Sequence, residues 1–557
     1  MSSPRALRGA PVVLLALTLS ACGGASPAGR EGARAPRAAR GYVLISIDAL
    51  RADALGLYGS ERPTSPFLDR LAAERAAVFE NAFSQIPSTL PSHLSMLTGL
   101  YPSEHGVFPP SDVLSAEIPT LPELFRTAGF RTFGHSEGGY VQGGFGFARG
   151  FEEWTDTPYG SDADIERTFR RGVDSLAKVA PDERFFLFLH TYSVHDPYEP
   201  PQKYRAAFWP GPPPAGAFEA TGPNFADFNF HLRDAPVEAI PYYRALYDAS
   251  VRYMDDVVAH FFAELERLGL ADETVVVFTS DHGEEFLEHG RLVHTQPYPE
   301  SLRIPLVVVL PDLARGRRVQ TIAETIDFLP TLAELAGVEP PPALSGESLA
   351  GVLAGGDGRL AGRAFAQDKM LSFDIRTVLM PVGGKLHQLY SSRAVQERDG
   401  FWASREVILD ARPPALEFRA VAFHEPRTLT VRVGARTIAE LELGTDWRSY
   451  RVELPAGKKQ TVSLRTPACA SPAELGAGRD RRCLSFKLDG LELARLELYD
   501  LAADPFARRD LSTERADLVR TLVRELKKYP ETQRARAAST ELTDEQIRHL
   551  KALGYLQ

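Results

Sequence analysis

Cysteine is scarce in this chain: three occur in 557 residues, at positions 22, 469 and 483. So few thiols exclude a small disulfide scaffold and a cysteine-rich metal module. Basic charge is not in excess either. Lys and Arg number 63 against 73 Asp and Glu, a formal net charge of -10. There is no basic field to draw nucleic acid, so no nucleic-acid partner is expected, and an anionic substrate would need a local metal or a few cations. Long apolar runs are missing beyond the amino terminus, so no later segment approaches a membrane span. What is present is a 44% hydrophobic, 24% charged composition with 44 Gly and 42 Pro, ordinary for a globular chain with many loops. The length calls for one large enzyme-sized domain and at least one smaller module.

Arg5 and Arg8 precede an apolar run from Ala10 to Leu19, which closes in Ser20-Ala21-Cys22-Gly23-Gly24. A basic head, a short apolar stretch and a small-residue cleavage site make a secretory signal, and this one resembles a bacterial lipoprotein signal with Cys22 as the lipidated residue. The expectation is a signal over 1–22, a flexible Gly/Ala/Pro/Arg/Ser tether over 23–40, and an exported protein held to a cell-envelope membrane by its lipid, on the periplasmic or surface side. Cys469 and Cys483 then form an even pair in an oxidising compartment. A disulfide between them would stabilise by roughly 3 kcal/mol on the chain-entropy account.

Three compact apolar segments stop at polar residues able to bind a ligand. Tyr42–Ile47 runs into Asp48, Phe185–Leu189 into His190 and then His195, and Thr274–Ser280 into Asp281-His282-Gly283. These read as buried strands with ligands at their carboxyl ends, where open α/β sheets collect them. Ile304–Leu310 reads as another buried strand, and the spacing predicts helices over 243–268, 322–335, 514–528 and 544–553. From Phe401 to Ala494 the texture changes to short alternating segments between turns, such as Thr428–Val433, Ile438–Leu443 and Tyr450–Leu454, which read as a β-sandwich-like module.

The segment Ser88-Thr89-Leu90-Pro91-Ser92-His93 followed by Leu97-Thr98-Gly99-Leu100-Tyr101-Pro102 places Thr89 near a helix amino terminus, where donors and the helix dipole favour anions. Taken alone, a hydroxyl there reads first as a cap. The segment nevertheless resembles the sulfatase nucleophile motif, Cys or Ser, any residue, Pro, Ser, Arg, with its Leu-Thr-Gly-x-Tyr-Pro tail. Four further matches follow the family's order: Ser46–Arg51, Ser193–Tyr198, Thr279–Glu284 and Ile326–Thr331, and Glu497–Leu501 with Asp504-Pro505 is similar to the family's ending. The resemblance implies an α/β/α sandwich with a mixed central sheet over 41–400, the β module inserted at 401–494, and the end of the catalytic domain with terminal helices over 495–557.

Three departures shape what the resemblance implies. Threonine carries a methyl on Cβ and could give only a ketone, so the formylglycine aldehyde of sulfatases is excluded at position 89. Threonine here is similar to the nucleotide pyrophosphatase/phosphodiesterase branch of the alkaline phosphatase superfamily, which attacks with the metal-activated alkoxide, and histidine stands at His93 where sulfatases keep arginine. The paired aspartates of the entry motif are reduced to Asp48-Ala49, and the Gly-Lys-x-His signature is absent, with His135 in the corresponding segment. What remains is Asp48, Thr89, Asp281 and His282 as one metal set, for zinc, manganese or calcium.

His195 falls in the family's His-x-Pro pattern and His294 at the family's lysine position. The resemblance therefore gives His93, His195 and His294 roles around the transferred group, beside Thr89 as nucleophile. The expected function is metal-dependent hydrolysis of an anionic sulfate or phosphate ester, carbohydrate- or lipid-linked, with phosphoester chemistry favoured. Transfer of a phospho head group and a non-catalytic glycan-binding surface lipoprotein stay open. His289 and His190 carry no fixed assignment.

Overall fold

A computed structural model of the chain describes residues 39–552, apart from 158–163, 230–236, 312, 314, 356–361, 371–372, 395–400, 404–405, 412–413, 435, 458–459, 471–474, 476–484, 490–493, 513, 530–536 and 540–541. The signal with Cys22 and the tether up to residue 38 lie outside the described residues, as does Cys483, while the last two tether positions are part of the fold: Ala39 is buried and Arg40 donates to the Ala180 and Glu183 carbonyls. Cys469 is disulfide-bonded.

The strand Gly41–Ile47 is buried at all seven positions, because it lies between two layers of helix. Tyr42 and Leu44 join one apolar cluster with Phe186, Phe188 and the helices Thr89–Thr98 and Phe328–Ala336. Val43, Ile45 and Ile47 join the other, with Leu187, Leu189 and the 28-residue helix Ile240–Arg267. This is why the segment shows no apolar/polar alternation. The nine-stranded sheet between the layers is mixed. Arg184–Thr191 and Thr274–Ser280 flank Gly41–Ile47 in parallel, while Leu306–Val309 runs antiparallel beside Thr274–Ser280. The result is an α/β/α sandwich with a mixed central sheet, the architecture that the resemblance implies.

Two segments differ from expectation. Pro305 lacks the N–H a ladder needs and splits its run into Arg303–Ile304 and Leu306–Val309. The helical reading of 322–335 is overturned in its first part. Arg317–Glu324 is a strand, paired parallel to Ala76–Phe83, and the helix starts only at Phe328.

A second sheet, antiparallel, joins Ala364–Met370, Phe373–Val382, Lys385–Ala394 and Ala494–Asp500. The helix Ala516–Leu526 covers it through Leu518, Leu522 and Leu526. The β module enters between two adjacent strands of this sheet, where Arg393 is level with Ala494. Its eight strands form two four-stranded sheets. One contains Phe401–Ala403, Phe486–Asp489, Ala415–Ala422 and Arg448–Glu453; the other contains Glu406–Ala411, Gln460–Arg465, Arg427–Val433 and Arg436–Leu443. In module order these are strands 1-8-3-6 and 2-7-4-5, the jelly-roll arrangement. Phe418, Leu429, Val431, Val462, Leu464, Phe486 and Leu488 belong to its own core. No described helix is long and apolar enough to cross a membrane.

Candidate metal centre and active site

Ile47 is level with Ser280 on the neighbouring parallel strand, so Asp48 and Asp281 leave adjacent strand ends together. Thr89 is the first residue of the Thr89–Thr98 helix, whose ten residues are all buried, and it stands at the positive end of the helix dipole. Ser92 Oγ donates to the Asp281 carbonyl at 2.8 Å, which ties the helix to the strand end. Thr89 Oγ1 lies 3.3 Å from His282 Nε2.

Each of the two carboxylates spends one oxygen on protein donors and leaves the other bare. Asp281 Oδ1 accepts from Ala49 N at 3.2 Å and His282 N at 2.9 Å, whereas Asp281 Oδ2 is buried with no hydrogen bond. Asp48 Oδ2 faces His190 Nε2 at 3.3 Å, whereas Asp48 Oδ1 is likewise buried and unmatched. His282 Nδ1 donates to the Gly283 carbonyl at 3.0 Å, so its lone pair is on Nε2. That nitrogen sits 3.3 Å from the bare oxygen of Asp281 and 3.7 Å from that of Asp48. Two carboxylate oxygens and an imidazole lone pair thus converge within 4.8 Å of one another, the donor set of a divalent cation. Burial and mutual repulsion hold the Asp48 carboxyl well above the usual range, and burial raises Asp281 also. Burial lowers His282 to about 3, which keeps the imidazole neutral and able to ligate. Asp48, Asp281, His282 and Thr89 are therefore brought together, as the resemblance implies.

Ala49, which occupies the missing second aspartate's position, adopts a left-handed backbone with φ 57°. Its N–H then supplies the bond to Asp281 Oδ1 described above, a structural use of the position that needs no side chain.

The remaining histidines divide by depth. His195 and His294 face each other, Nε2 to Nε2, at 3.1 Å, and the His294 ring lies 4.1 Å from that of His282. His195 Nδ1 donates to the Asp196 carbonyl at 2.6 Å, and His294 Nδ1 to that of Pro87 at 3.2 Å. Burial lowers His195 to about 3 and holds His294 well below its ordinary value, the latter also repelled by His282. His93 lies beneath the cluster. It donates from Nδ1 to the Thr89 carbonyl at 2.9 Å, accepts from Ser46 Oγ at 2.9 Å, and lies 3.5 Å from Asp281 Oδ2. It supports the helix start and Asp281 from below. His135 bonds Thr155 and Ser175 at the far side of the sheet, and His289 bonds Glu300 and the Ala507 carbonyl, so neither faces the cluster. His190 is the residue that sequence reasoning left without a place. The usable signal is polarity in the apolar pattern Phe186-x-Phe188-x-His190.

A family model described as Sulfatase matches residues 40–338, more than half of the chain. An arylsulfatase of Clostridium perfringens is 25% identical over 370 residues, covering 55% of this chain and 77% of its own. An ulvan-active sulfatase of Formosa agariphila is 30% identical over 339 residues, covering 55% of this chain and 63% of its own. A solved structure in complex with its substrate D-glucosamine-2-N,6-O-disulfate aligns with TM-score 0.58 at 16% identity over 87% of this chain and 96% of that one. The phosphonate monoester hydrolase of Agrobacterium radiobacter aligns with TM-score 0.56 at 17% identity over 90% of this chain and all of that one. At such identities the structures speak for the fold alone, and the family match carries the assignment. This chain belongs to the sulfatase family, a family of sulfuric ester hydrolases.

Proposed function

We propose that the protein is a metal-dependent hydrolase that uses the Thr89 hydroxyl itself as nucleophile, with phosphate mono- or diesters favoured over sulfate esters. The observation that carries the reading is the convergence of Asp48 Oδ1, Asp281 Oδ2 and the His282 lone pair beside Thr89 Oγ1. A divalent cation held by these groups would lower the pKa of the hydroxyl and offset charge on the transferred group.

Thr89 Oγ, once deprotonated, attacks phosphorus in line, forming the Oγ–P bond as the bond to the leaving oxygen breaks. The proton that Thr89 gives up is taken by the Nε2 lone pairs of the His195–His294 pair and passed to the leaving oxygen, and water then cleaves the threonine ester and restores the hydroxyl. His195 and His294 also orient the non-bridging oxygens, while His93 keeps Asp281 and the helix start in place. Sulfate esters are the second reading, favoured by the family and by relatives named for arylsulfates and ulvan. A sulfated carbohydrate is the natural form that reading takes. The basic, apolar, Cys22-ended amino terminus supports a lipid-tethered enzyme of the cell envelope.

Purified protein assayed on 4-nitrophenyl sulfate, 4-nitrophenyl phosphate, bis(4-nitrophenyl) phosphate and a phenylphosphonate ester, before and after chelation, tests this. Turnover of a phosphoester should be lost on chelation, return with metal, and fall on the order of 10⁴-fold or more in Thr89→Ala with folding intact. Undiminished turnover by a clean Thr89→Ala preparation would end the nucleophile assignment.

A further inference from the structure

We propose that His190 is the positioning residue of the metal centre, holding Asp48 so that its bare oxygen faces the cation. The inference rests on the metal-centre reading above and adds a residue to it.

Ser46 and His190 are level on adjacent parallel strands, and Asp48 lies two residues beyond Ser46. From there the His190 ring reaches forward, and its Nε2–H donates to Asp48 Oδ2 at 3.3 Å. Of the two Asp48 oxygens this is the one turned away from His282, whose Nε2 lies 3.7 Å from the other, Oδ1. The bond therefore sets the rotation of the carboxylate about its Cβ–Cγ axis and decides which oxygen is offered to a ligand. The rest of the ring is locked. The His93 and Tyr192 rings each stand edge-on to it with centroids 4.7 Å away.

Packing alone does not account for histidine here. Phe186 and Phe188 occupy the preceding positions of the same strand face, and both are buried like His190. Phenylalanine would continue that stripe. Histidine instead leaves Nδ1 buried without a hydrogen bond, a desolvation penalty that an apolar ring would not carry. The compensating interaction is the bond to Asp48. Asp281 has no such bond: His93, held between Ser46 and the Thr89 carbonyl, lies 3.5 Å from its bare Oδ2. The outer oxygen of Asp281 is held by the Ala49 and His282 N–H groups, and that of Asp48 by the His190 imidazole. Outer partners of this kind typically govern metal affinity by about 10- to 100-fold.

The test is calorimetric titration of metal-free protein with Ca²⁺, Mn²⁺ and Zn²⁺, alongside thermal unfolding. His190→Phe keeps the ring and deletes the donor. It should fold with an unfolding midpoint at or above that of the parent and bind its best metal about 10- to 100-fold more weakly. His190→Gln, whose amide reaches the Nε2 position, should recover most of that affinity, and His190→Asn, whose amide reaches only the Nδ1 position, should not. Should His190→Phe fail to fold, the Gln and Asn pair carries the same comparison. Equal affinity in His190→Phe and the parent, or in the Gln and Asn variants, would overturn the role of His190 while leaving the metal centre intact. A parent protein that binds none of the three ions would overturn the metal-centre reading itself, and this inference with it.

Discussion

At the residue scale the same side-chain types do different work according to what surrounds them, and histidine shows it most clearly. His282 and His195 are neutral donors of a lone pair, because burial opposes charge and a backbone carbonyl takes the Nδ1 proton of each. His289 is the opposite case. Its Nδ1 faces Glu300 Oε1, its Nε2 faces the Ala507 carbonyl at 3.0 Å, and its ring stacks on Tyr298 at 3.6 Å. Two acceptors demand two protons, so the ring is an imidazolium. Burial works against that charge, but the bond to Glu300 and the nearby Glu285 carboxyl outweigh it and raise the pKa. A raised folded-state pKa stabilises fully below the unfolded value near 6.5 and is lost as pH climbs through the folded value. His289→Gln should therefore be destabilised relative to the parent at pH 6 and much closer to it at alkaline pH. Chemical denaturation across that range checks the sign, and a difference that grows with pH would contradict it.

The site was largely legible at this scale, since Asp48, Thr89, Asp281 and His282 meet as their motifs imply. Other residues of the same motifs prove to be scaffold. Ser92 ties the helix to the strand end through the Asp281 carbonyl, and Asp327, in the Ile326–Thr331 match, accepts from the N–H groups of Glu324 and Glu347. A motif marks what a family needs kept, and it does not say whether the need is chemical or architectural.

At the scale of elements, Gly283 shows how closely the loop after His282 is pressed against its neighbour. Its N–H donates to the Ser301 carbonyl at 2.7 Å, and a Cβ there would lie 2.0 Å from the Glu300 carbonyl oxygen. Arg51, nearly fully buried, closes the other side by bonding the Glu284 carbonyl at 2.8 Å and both Asp53 and Glu288. The strand tip carrying two ligands has no room to move in either direction. Gly283→Ala should cost about 1–3 kcal/mol in overpacking strain, and it should also lower metal affinity, because the displaced backbone carries His282. A variant that unfolds earlier yet binds metal as the parent does would show that the strain is relieved toward Glu300 instead. The central strands and the long helix were readable because both faces of one and one stripe of the other are apolar. Arg317–Glu324 was not, since its spacing of apolar residues continues without a break into the helix at Phe328. What decides it is pairing with Ala76–Phe83, some 240 residues earlier, which no local pattern records.

For the molecule as a whole, the question is whether the jelly roll belongs to the catalytic machine or is carried by it. Composition revealed the module, and only strand order revealed its topology, because short alternating strands fit several sandwiches equally well. Its core residues form a cluster with no member from the catalytic domain. The clusters around the central sheet and under the second sheet contain no residue between 395 and 493. Arg393 and Ala494 are level partners on antiparallel strands, so a two-residue Asn-Gly turn can join them without disturbing the ladder. A protein lacking 394–493 and closed by that turn should fold, bind metal and turn over a small aryl ester within about twofold of the parent, as independent parts do. If its affinity for a polymeric substrate falls while small-ester turnover holds, the module serves recognition. If the shortened protein does not fold, the jelly roll contributes stability across the strand pair from which it emerges, and the two cores are one cooperative unit despite their separate packing.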